Sequence, residues 1–401
     1  MKKNILNVTV VVALACPVMV QALSADISID AGLAYDSNAY RTPADSYVDY
    51  FADPTGATTQ PTNVQSGFFV PLALQSSVRQ KLNDSLKLMA EYNYDTRLYL
   101  DSALENAEET DQLLKLGAQY TLFYTTQRSS HVYVGYRMPV HKQTYYDRDT
   151  GSKRIVGAAQ DEIADAYSYS ANGFELSYDY QDQNGWQFDV SYKSENRDYD
   201  KPVTGSEYDH TYARFDASAG YKISTNWDIT YDFALYSRDY DLRHARNLTG
   251  GLSSATQPLL TYGYTDYGLT LQQQISTNLK LKYAYSGSQR DDEYVGYNDY
   301  DMNEFMLGGR YRFSDKLALN AEVAFWQQDY ANAWNFDRDP TQIPLTDHKT
   351  ADGTRIEGNL KYKYSTMQDW WLNMEMRTNN NSDPRYDYDR MIVMAGSSWK
   401  F

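Results

Sequence analysis

The sequence predicts an all-β fold, namely a transmembrane antiparallel up-and-down β-barrel of about 16 strands, within a range of about 14 to 18. Apolar and polar residues alternate with a period of two through most of the chain, and the connections between these segments are in turn short and long. After about residue 25, no stretch approaches the roughly 20 apolar residues that a membrane helix needs. An aromatic content of 15% also argues against a disordered chain.

The first residues predict a secretory signal peptide. Lys2 and Lys3 precede an apolar run over residues 5–20, and small residues follow at residues 20–22. We therefore expect residues 1–22 to be removed, with cleavage after Ala25 as the alternative. The single cysteine, Cys16, leaves with this segment. Residues 26–401 are then one transmembrane β-barrel domain.

The alternation places successive side chains on opposite faces of a strand. It is clearest in residues 186–193, where Trp, Phe, Val and Tyr alternate with Gln, Asp, Ser and Lys. The alternating segments are about 10 to 15 residues long, as expected of strands that cross a membrane. A soluble β-sandwich would have shorter strands and would not repeat this pattern so often.

Seven short turns rich in Ser, Asn, Asp and Gly and eight long loops join the predicted strands. The acidic excess of the chain, whose net charge is −16, lies mainly in the long loops. The strands themselves are slightly basic. The predicted long loops are residues 36–66, 101–110, 143–165, 198–210, 239–258, 291–301, 329–352 and 379–389.

The C-terminal residues alternate and end in an aromatic residue, with Met391, Val393 and Ala395 followed by Trp399 and Phe401. Over residues 26–401 the chain resembles the Gram-negative outer-membrane β-barrel class, porins included. The resemblance implies an outer-membrane location, contact with lipid and lipopolysaccharide, and recognition of Trp399 and Phe401 by the barrel-assembly machinery. The resemblance is to this class as a whole and not to the general porins in particular, because their Pro-Glu-Phe-Gly-Gly motif is missing.

At about 16 strands, side chains no longer fill a barrel, so an aqueous lumen is expected. The first strand follows the predicted cleavage site closely and leaves no room for a plug domain. We therefore expect a channel for passive diffusion of small hydrophilic solutes. By resemblance to general porins, the third long loop folds inward as a constriction, and an ordinary surface loop is the alternative. The residues predicted to form the constriction are Asp147, Arg148, Asp149, Asp161 and Glu162.

Basic residues on the predicted lumen side gather near the short turns. Such a girdle would favour anionic solutes through its local potential. The alternative is a lumen in which these bases pair with acids on neighbouring strands, with little net selectivity. The girdle consists of Arg79, Lys81, Lys87, Lys222, Lys280, Lys282, Arg312, Lys361, Lys363 and Lys400.

The same alternation of side chains places aromatic residues inside the barrel, near the long loops, although barrels usually keep aromatic residues in lipid-facing belts. Aromatic faces can stack on sugar rings while their hydroxyls form hydrogen bonds, which predicts a path for sugars or oligosaccharides. The alternative is packing of tyrosine beside arginine in a mostly filled lumen. The residues of this path are Tyr99, Tyr133, Tyr199, Tyr212, Tyr236, Tyr240, Tyr262, Tyr264, Trp326 and Tyr330.

A tetrapeptide of the form x-Asp-Tyr-Asp recurs where strands meet long loops. Strand parity turns its aspartates outward, among the lipopolysaccharide phosphates, where Ca²⁺ or Mg²⁺ would bridge the like charges. Solvated rim residues are the alternative. The aspartates are Asp198, Asp200, Asp239, Asp241, Asp299, Asp301, Asp387 and Asp389.

Other functions are less favoured by the sequence. A non-conducting structural, adhesion or assembly barrel would act through loops such as residues 36–66. The chain has five histidines and none has a recognised catalytic spacing, so we expect no enzyme activity, with a rim-located enzyme as a further alternative. The acidic excess disfavours nucleic-acid binding. The oligomeric state stays open between monomer and trimer.

Overall fold

The structure is a computed structural model that describes residues 23–48, 55–153, 155–156, 161–162, 167–200, 208–251, 256–334 and 348–401, with the backbone alone at 155–156 and 161–162. The predicted signal peptide, residues 1–22, lies outside the described residues and stays a prediction. No helix within the described ranges is long and apolar enough to cross a membrane.

The described chain consists almost entirely of β-strands. Two 3₁₀ helices, Ser102–Ala107 and Pro384–Tyr386, lie in loops. In chain order the strands are β1 Leu23–Asp36, β2 Tyr47–Val48, β3 Thr59–Gln60, β4 Gly67–Lys81, β5 Leu86–Tyr99, β6 Glu109–Tyr124, β7 Arg128–Gln143, β8 Ile155–Val156, β9 Asp161–Glu162, β10 Tyr169–Asp182, β11 Trp186–Tyr199, β12 His210–Lys222, β13 Trp227–His244, β14 Leu259–Gln274, β15 Leu279–Asp291, β16 Tyr300–Arg312, β17 Leu317–Trp334, β18 His348–Lys363, β19 Gln368–Asn381 and β20 Tyr388–Lys400.

Sixteen of these strands form one closed antiparallel barrel in which each strand pairs with its neighbours along the chain. The pairs β2–β3 and β8–β9 are two short hairpins within long loops. Closure joins β1 to β20 from Ser28 opposite Lys400 to Asp36 opposite Ile392. Backbone hydrogen bonds also join Ile27 to Phe401, so the last residue of the chain pairs with the first strand. The predicted barrel of about 16 strands is confirmed.

Seven connections of three or four residues close one end of the barrel, and eight longer ones lie at the other end, as predicted. The short turns satisfy their own backbone groups. For example, the Asn83 side chain accepts hydrogen bonds from the backbone of Ser85 and Leu86, both at 2.9 Å. We number the long loops L1 (37–66), L2 (100–108), L3 (144–168), L4 (200–209), L5 (245–258), L6 (292–299), L7 (335–347) and L8 (382–387).

The outer face of the barrel is apolar. Leu33, Phe68, Val134, Phe305 and Phe325 are each at least half exposed. Such a surface would cause a soluble protein to aggregate, whereas it suits contact with lipid chains. Closure without a free sheet edge meets the second requirement of a lipid environment, because every strand then finds a backbone partner on both sides. The protein is therefore an outer-membrane β-barrel, as predicted.

The seam between β1 and β20 depends on two inward-facing glycines covered by the ring of Trp371. A Cβ atom on Gly396 would lie 2.3 Å from the Ala31 carbonyl oxygen and 2.5 Å from the Trp371 ring. Gly358, on the lipid face of β18, has no atom within 4 Å of the same position. A larger residue is therefore excluded at the seam and tolerated on β18.

We predict that Gly396→Val lowers the free energy of unfolding by about 1 to 3 kcal/mol, since the added side chain overpacks the seam. Unfolding in guanidinium, followed by tryptophan fluorescence in detergent micelles, measures the loss. Gly358→Val is the matched control and should unfold like the wild type. Equal stability of the two variants would contradict the role of the seam.

Candidate functional site

Strand parity separates the lumen from the lipid face as predicted. On β13, Leu235 is 45% exposed on the outside, while Tyr240 on the inside is 7% exposed. Inside the outer half of the barrel, aromatic rings from β10 to β17 contact one another across neighbouring strands. We call this surface the aromatic wall.

Six of the ten predicted lumen aromatics lie in one connected part of the aromatic wall. Tyr236 and Tyr264 stack with ring centroids 4.3 Å apart, and Tyr262 contacts both Tyr264 and Tyr240 at 6.1 Å. Cross-strand register explains the row, since Tyr236 lies directly opposite Tyr264. The six residues are Tyr199, Tyr212, Tyr236, Tyr240, Tyr262 and Tyr264. Rings that the sequence analysis did not single out join them, namely Tyr169, Tyr208, His210 and Tyr300.

The other four predicted aromatics pack at separate places. Tyr330 contacts Tyr300 at the edge of the aromatic wall. The ring of Tyr133 covers Gly117 and Gly135, and Trp326 covers Gly353. Tyr99, at the end of β5, lies near L1. Tyr133 and Trp326 therefore fill space beside glycines, and the ten aromatic residues do not form one continuous row of ring contacts among the described residues.

Arginines interleave with the tyrosines of the aromatic wall, and the sequence analysis missed them as a group. Arg197 stacks on Tyr212 at 4.1 Å, and Arg214 stacks on Tyr236 at 4.8 Å. Arg238 lies 5.3 Å from the ring centroid of Tyr264. The signal was present in the strand parity, which turns these arginines inward together with the predicted tyrosines.

Ion pairs cross the inner wall on both sides of the barrel. Glu175 lies between Lys115 and Arg137, at 3.1 and 3.0 Å. Glu195, which is 2% exposed, lies between Arg137 and Arg197. A second network surrounds Arg355, whose guanidinium contacts Glu304, Glu322 and Glu357. Much of the inner charge is therefore locally compensated.

The predicted basic girdle is half compensated. Arg79 pairs with Asp26 at 3.2 Å, and Lys361 and Lys400 share Asp369 at 3.0 and 3.4 Å. Lys81 pairs with Asp84 and Lys280 with Asp228. Among the described residues, the other five have no carboxylate within 4.0 Å. These are Lys87, Lys222, Lys282, Arg312 and Lys363.

Two cavities open along the inner wall below the aromatic wall. One of about 560 Å³ is lined by polar residues of β10 to β16, including Asp189, Asp216 and Lys282. The other, of about 460 Å³, lies against β14 to β20 and includes Lys282, Arg310 and Glu357. The middle of the barrel thus contains space bounded by charged side chains.

The start of L1 folds into the outer mouth of the barrel. Tyr40 is fully buried and packs with Phe69, Leu104 and Ile392. Its hydroxyl donates a hydrogen bond of 2.7 Å to the carbonyl oxygen of Ala103 in L2. The alternation of apolar and polar residues along strands cannot predict this packing of L1, because an irregular loop has no periodic pattern of buried residues.

The described part of L3 lies against L1, L2 and L8. Tyr47 of L1 donates a hydrogen bond of 2.9 Å to Asp149, and Asn106 of L2 donates one of 2.9 Å to the carbonyl oxygen of Gly151. The guanidinium of Arg148 lies 4.6 Å from the ring centroid of Tyr386 in L8. These contacts bring Asp147, Arg148 and Asp149 to the mouth. The predicted constriction residues Asp161 and Glu162 have side chains outside the described residues.

A buried ion pair anchors the mouth to the seam. Asp36, which is fully buried, accepts hydrogen bonds from Arg390 Nε at 3.0 Å and from the Tyr99 hydroxyl at 2.7 Å. The backbone N–H of Asn38 donates to the same carboxylate at 3.0 Å. One acid thus connects β1, β5 and β20 with the beginning of L1.

At the rim, the predicted outward aspartates are exposed, with the exception of half-buried Asp299. Asp299 lies in L6, where its carboxylate and those of Asp291 and Asp292 come within 4.8 Å of one another. Burial and the two neighbouring carboxylates raise the pKa of Asp299 to about 6. Asp292 is 2% exposed, and its Oδ2 atom has no hydrogen-bond partner. Elsewhere on the rim, Asp200 pairs with Lys142 and Asp301 accepts from Gln289.

A histidine and an acid also meet on paired strands inside the rim. His141 Nδ1 lies 2.7 Å from Asp111 Oδ1, and Glu109 lies close to both. Asp111 and His141 are directly opposite each other in the register of β6 and β7. The sequence analysis missed this pair because the two residues are distant in the chain.

No protein-family model matches the sequence, and no curated protein matches it. Among solved structures, a loop L8 deletion mutant of OmpT, an outer membrane protein of Vibrio cholerae, is 11% identical with a TM-score of 0.49, covering 95% of this chain and 100% of that chain. The outer membrane channel DcaP of Acinetobacter baumannii is 11% identical with a TM-score of 0.49, covering 94% and 97%. An anion-selective porin from Comamonas acidovorans is 10% identical with a TM-score of 0.48, covering 95% and 99%. At these identities and TM-scores, the likeness adds nothing to the fold that the strand pairing establishes by itself.

We predict that Arg390→Met destabilises the barrel by about 3 to 5 kcal/mol, because it leaves the Asp36 carboxylate buried without its counter-charge. Arg79→Met is the matched control. It breaks the exposed pair with Asp26 and should cost less than about 1 kcal/mol. Equilibrium unfolding in guanidinium measures both, and equal losses would refute the anchoring role of Arg390.

Proposed function

We propose that this protein is an outer-membrane channel for the passive diffusion of small hydrophilic solutes. The observation that carries the proposal is a closed barrel of 16 strands whose inner wall is polar and encloses cavities of about 560 and 460 Å³. A barrel of this size is wide enough for an aqueous passage, and charged walls favour water over lipid or protein as the occupant.

The aromatic wall supports sugars or oligosaccharides among these solutes. Tyr199, Tyr236 and Tyr300 are only partly buried and offer ring surface and hydroxyl groups on the lumen side, whereas Tyr212, Tyr240, Tyr262 and Tyr264 are buried within the aromatic wall. Ring faces stack on the apolar faces of sugars, and hydroxyls exchange hydrogen bonds with them. The proposal assigns no catalytic role to His141 and Asp111, which form a hydrogen-bonded pair inside the rim.

A second function, that of a non-conducting structural barrel, is favoured by the packing of L1 and L3 at the mouth. Tyr40 and Thr42 are fully buried there, and Thr42 donates a hydrogen bond to the carbonyl oxygen of Arg148. In the channel proposal, these loops narrow the entrance. In the structural alternative, they seal it.

Single-channel recording in planar bilayers separates the two functions. We expect discrete conductance from the wild type and a severalfold larger conductance after deletion of residues 144–165, since Arg148 and Asp149 of that segment contact L1. Liposome swelling should also be faster with maltose than with an inert polyol of equal size. A barrel that stays silent with and without the deletion would contradict the channel and favour the structural alternative.

The rim carboxylates support binding of Ca²⁺ or Mg²⁺ that bridges the barrel to lipopolysaccharide. Asp291, Asp292 and Asp299 offer hard oxygen ligands in one place, and their mutual repulsion falls when a divalent cation binds. By the class resemblance, the exposed Phe401 at the seam is the residue that the barrel-assembly machinery would read.

The raised pKa of Asp299 gives the cation proposal a pH dependence. Without metal, the burial of Asp299 makes the folded state less stable as the pH rises through about 6, because the folded carboxyl holds its proton more tightly than the unfolded one. A bound cation offsets this loss only where the carboxylate is ionised. A chelator should therefore lower the melting temperature in lipopolysaccharide at pH 7.5 and change it much less at pH 5. Equal melting temperatures with and without chelator at pH 7.5 would disprove the cation bridge.

A further inference from the structure

Four cations on the inner wall lack the acidic partners that compensate its ion-pair networks. Lys193 on β11, Arg238 and Arg243 on β13 and Arg290 on β15 have no carboxylate within 4.0 Å among the described residues. By contrast, Arg137, Arg197, Arg214 and Arg355 each contact at least one acid. In addition to the unpaired cations of the basic girdle, the outer lumen thus has a group of unpaired cations on β11, β13 and β15.

These four cations lie on tyrosine rings instead. Arg238 lies 5.3 Å from the Tyr264 centroid, and Arg290 lies 4.9 Å from Tyr262 and 4.6 Å from Tyr300. Lys193 lies 5.9 Å from Tyr212. Arg243 lies 5.0 Å from Tyr208 and 5.4 Å from Tyr240, beyond a register shift between Asp239 and His244. Each of the four residues is only partly buried.

Cation–π contact fixes the position of a cation without neutralising its charge. The Nε atom of Arg238 is buried and has no hydrogen-bond partner, whereas the side chain of Tyr240 is a hydrogen-bond partner of the same guanidinium. Arg290 donates from Nε, at 2.9 Å, and from Nη2 to the carbonyl oxygen of Asn298, so its other N–H groups are the ones available to a further acceptor. Carboxylates suit this role because they accept two parallel hydrogen bonds from arginine.

We propose that these cations and the tyrosines beneath them form a binding site for acidic saccharides, that is, sugar chains bearing carboxylates. The proposal deepens the proposed function, on which it rests, by naming the solute class of the aromatic wall. The arginines bind the carboxylates, and the tyrosines stack on the sugar rings. Strands lie about 4.8 Å apart, so the cations of β11, β13 and β15 extend over about 20 Å and suit a chain of several sugars better than a small inorganic anion.

The test measures equilibrium binding to the purified full-length barrel in detergent by titration calorimetry. The probes are a galacturonate trisaccharide, maltotriose as the neutral sugar of equal length, and sulfate as the anion without a ring. We expect the galacturonate trisaccharide to bind at least about tenfold more tightly than either of the others. Arg238→Gln and Arg290→Gln should each weaken its binding about tenfold, the usual effect of removing a hydrogen bond to a charged group.

Two further variants make the result specific. Lys316→Gln removes an exposed cation of a short turn that belongs to neither the basic girdle nor the aromatic wall, and it should leave galacturonate binding unchanged. Tyr236→Ala should weaken the galacturonate trisaccharide and leave sulfate unaffected, because only the sugar uses the ring. Heat-dependent mobility on gels confirms that each variant is folded.

Each outcome bears on the proposal. It is overturned if maltotriose or sulfate binds as tightly as the galacturonate trisaccharide, or if the arginine variants bind it like the wild type. A barrel that binds the acidic saccharide but does not conduct would refute the channel while leaving this site intact. A barrel that conducts but does not discriminate between the probes would refute the site alone.

Discussion

The structure depends on one constraint, which is that every backbone amide and carbonyl in contact with lipid must find a partner within the protein. The chain meets it by joining β1 to β20, because an open sheet of the same strands would leave two unpaired edges in the membrane. Closure also fixes which side chains face the lumen. The inner networks, the aromatic wall and the acidic rim all follow from that single choice of register.

The inner surface is divided between two kinds of packing. On one side, tyrosines and arginines from β10 to β17 leave polar groups facing the lumen. On the other side, Trp371 and Trp326 lie against glycines, where their rings pack directly on the strand backbone. The tyrosines and arginines of the first surface have polar groups that can form hydrogen bonds in the lumen. The tryptophans of the second surface mainly hold strands together. The lumen is therefore asymmetric, with its tyrosines and arginines on one side and its ring-covered glycines on the other.

The barrel could be predicted from the sequence because a period of two and the order of turns are local properties of the chain. Parity alone also placed residues such as Tyr236, Tyr264 and Lys282 inside. It could not show that Tyr236 meets Tyr264, or that Asp111 meets His141, since these contacts depend on the register between strands. The burial of Tyr40 was beyond reach for a different reason. Loop residues have no periodic face, and their partners come from other loops.

The pairing of Ile27 with Phe401 has a consequence for biogenesis. The contacts of the closing strand join residues from opposite ends of the chain, such as Asp36 and Arg390, which are 354 positions apart. Contacts between residues so far apart in the sequence form late and slowly. Until they form, the sheet has two edge strands whose backbone groups are unpaired and can pair with other chains. The edges of β1 and β20 therefore stay unpaired until these two strands meet, and their pairing is the step that removes the last unpaired backbone groups from the sheet.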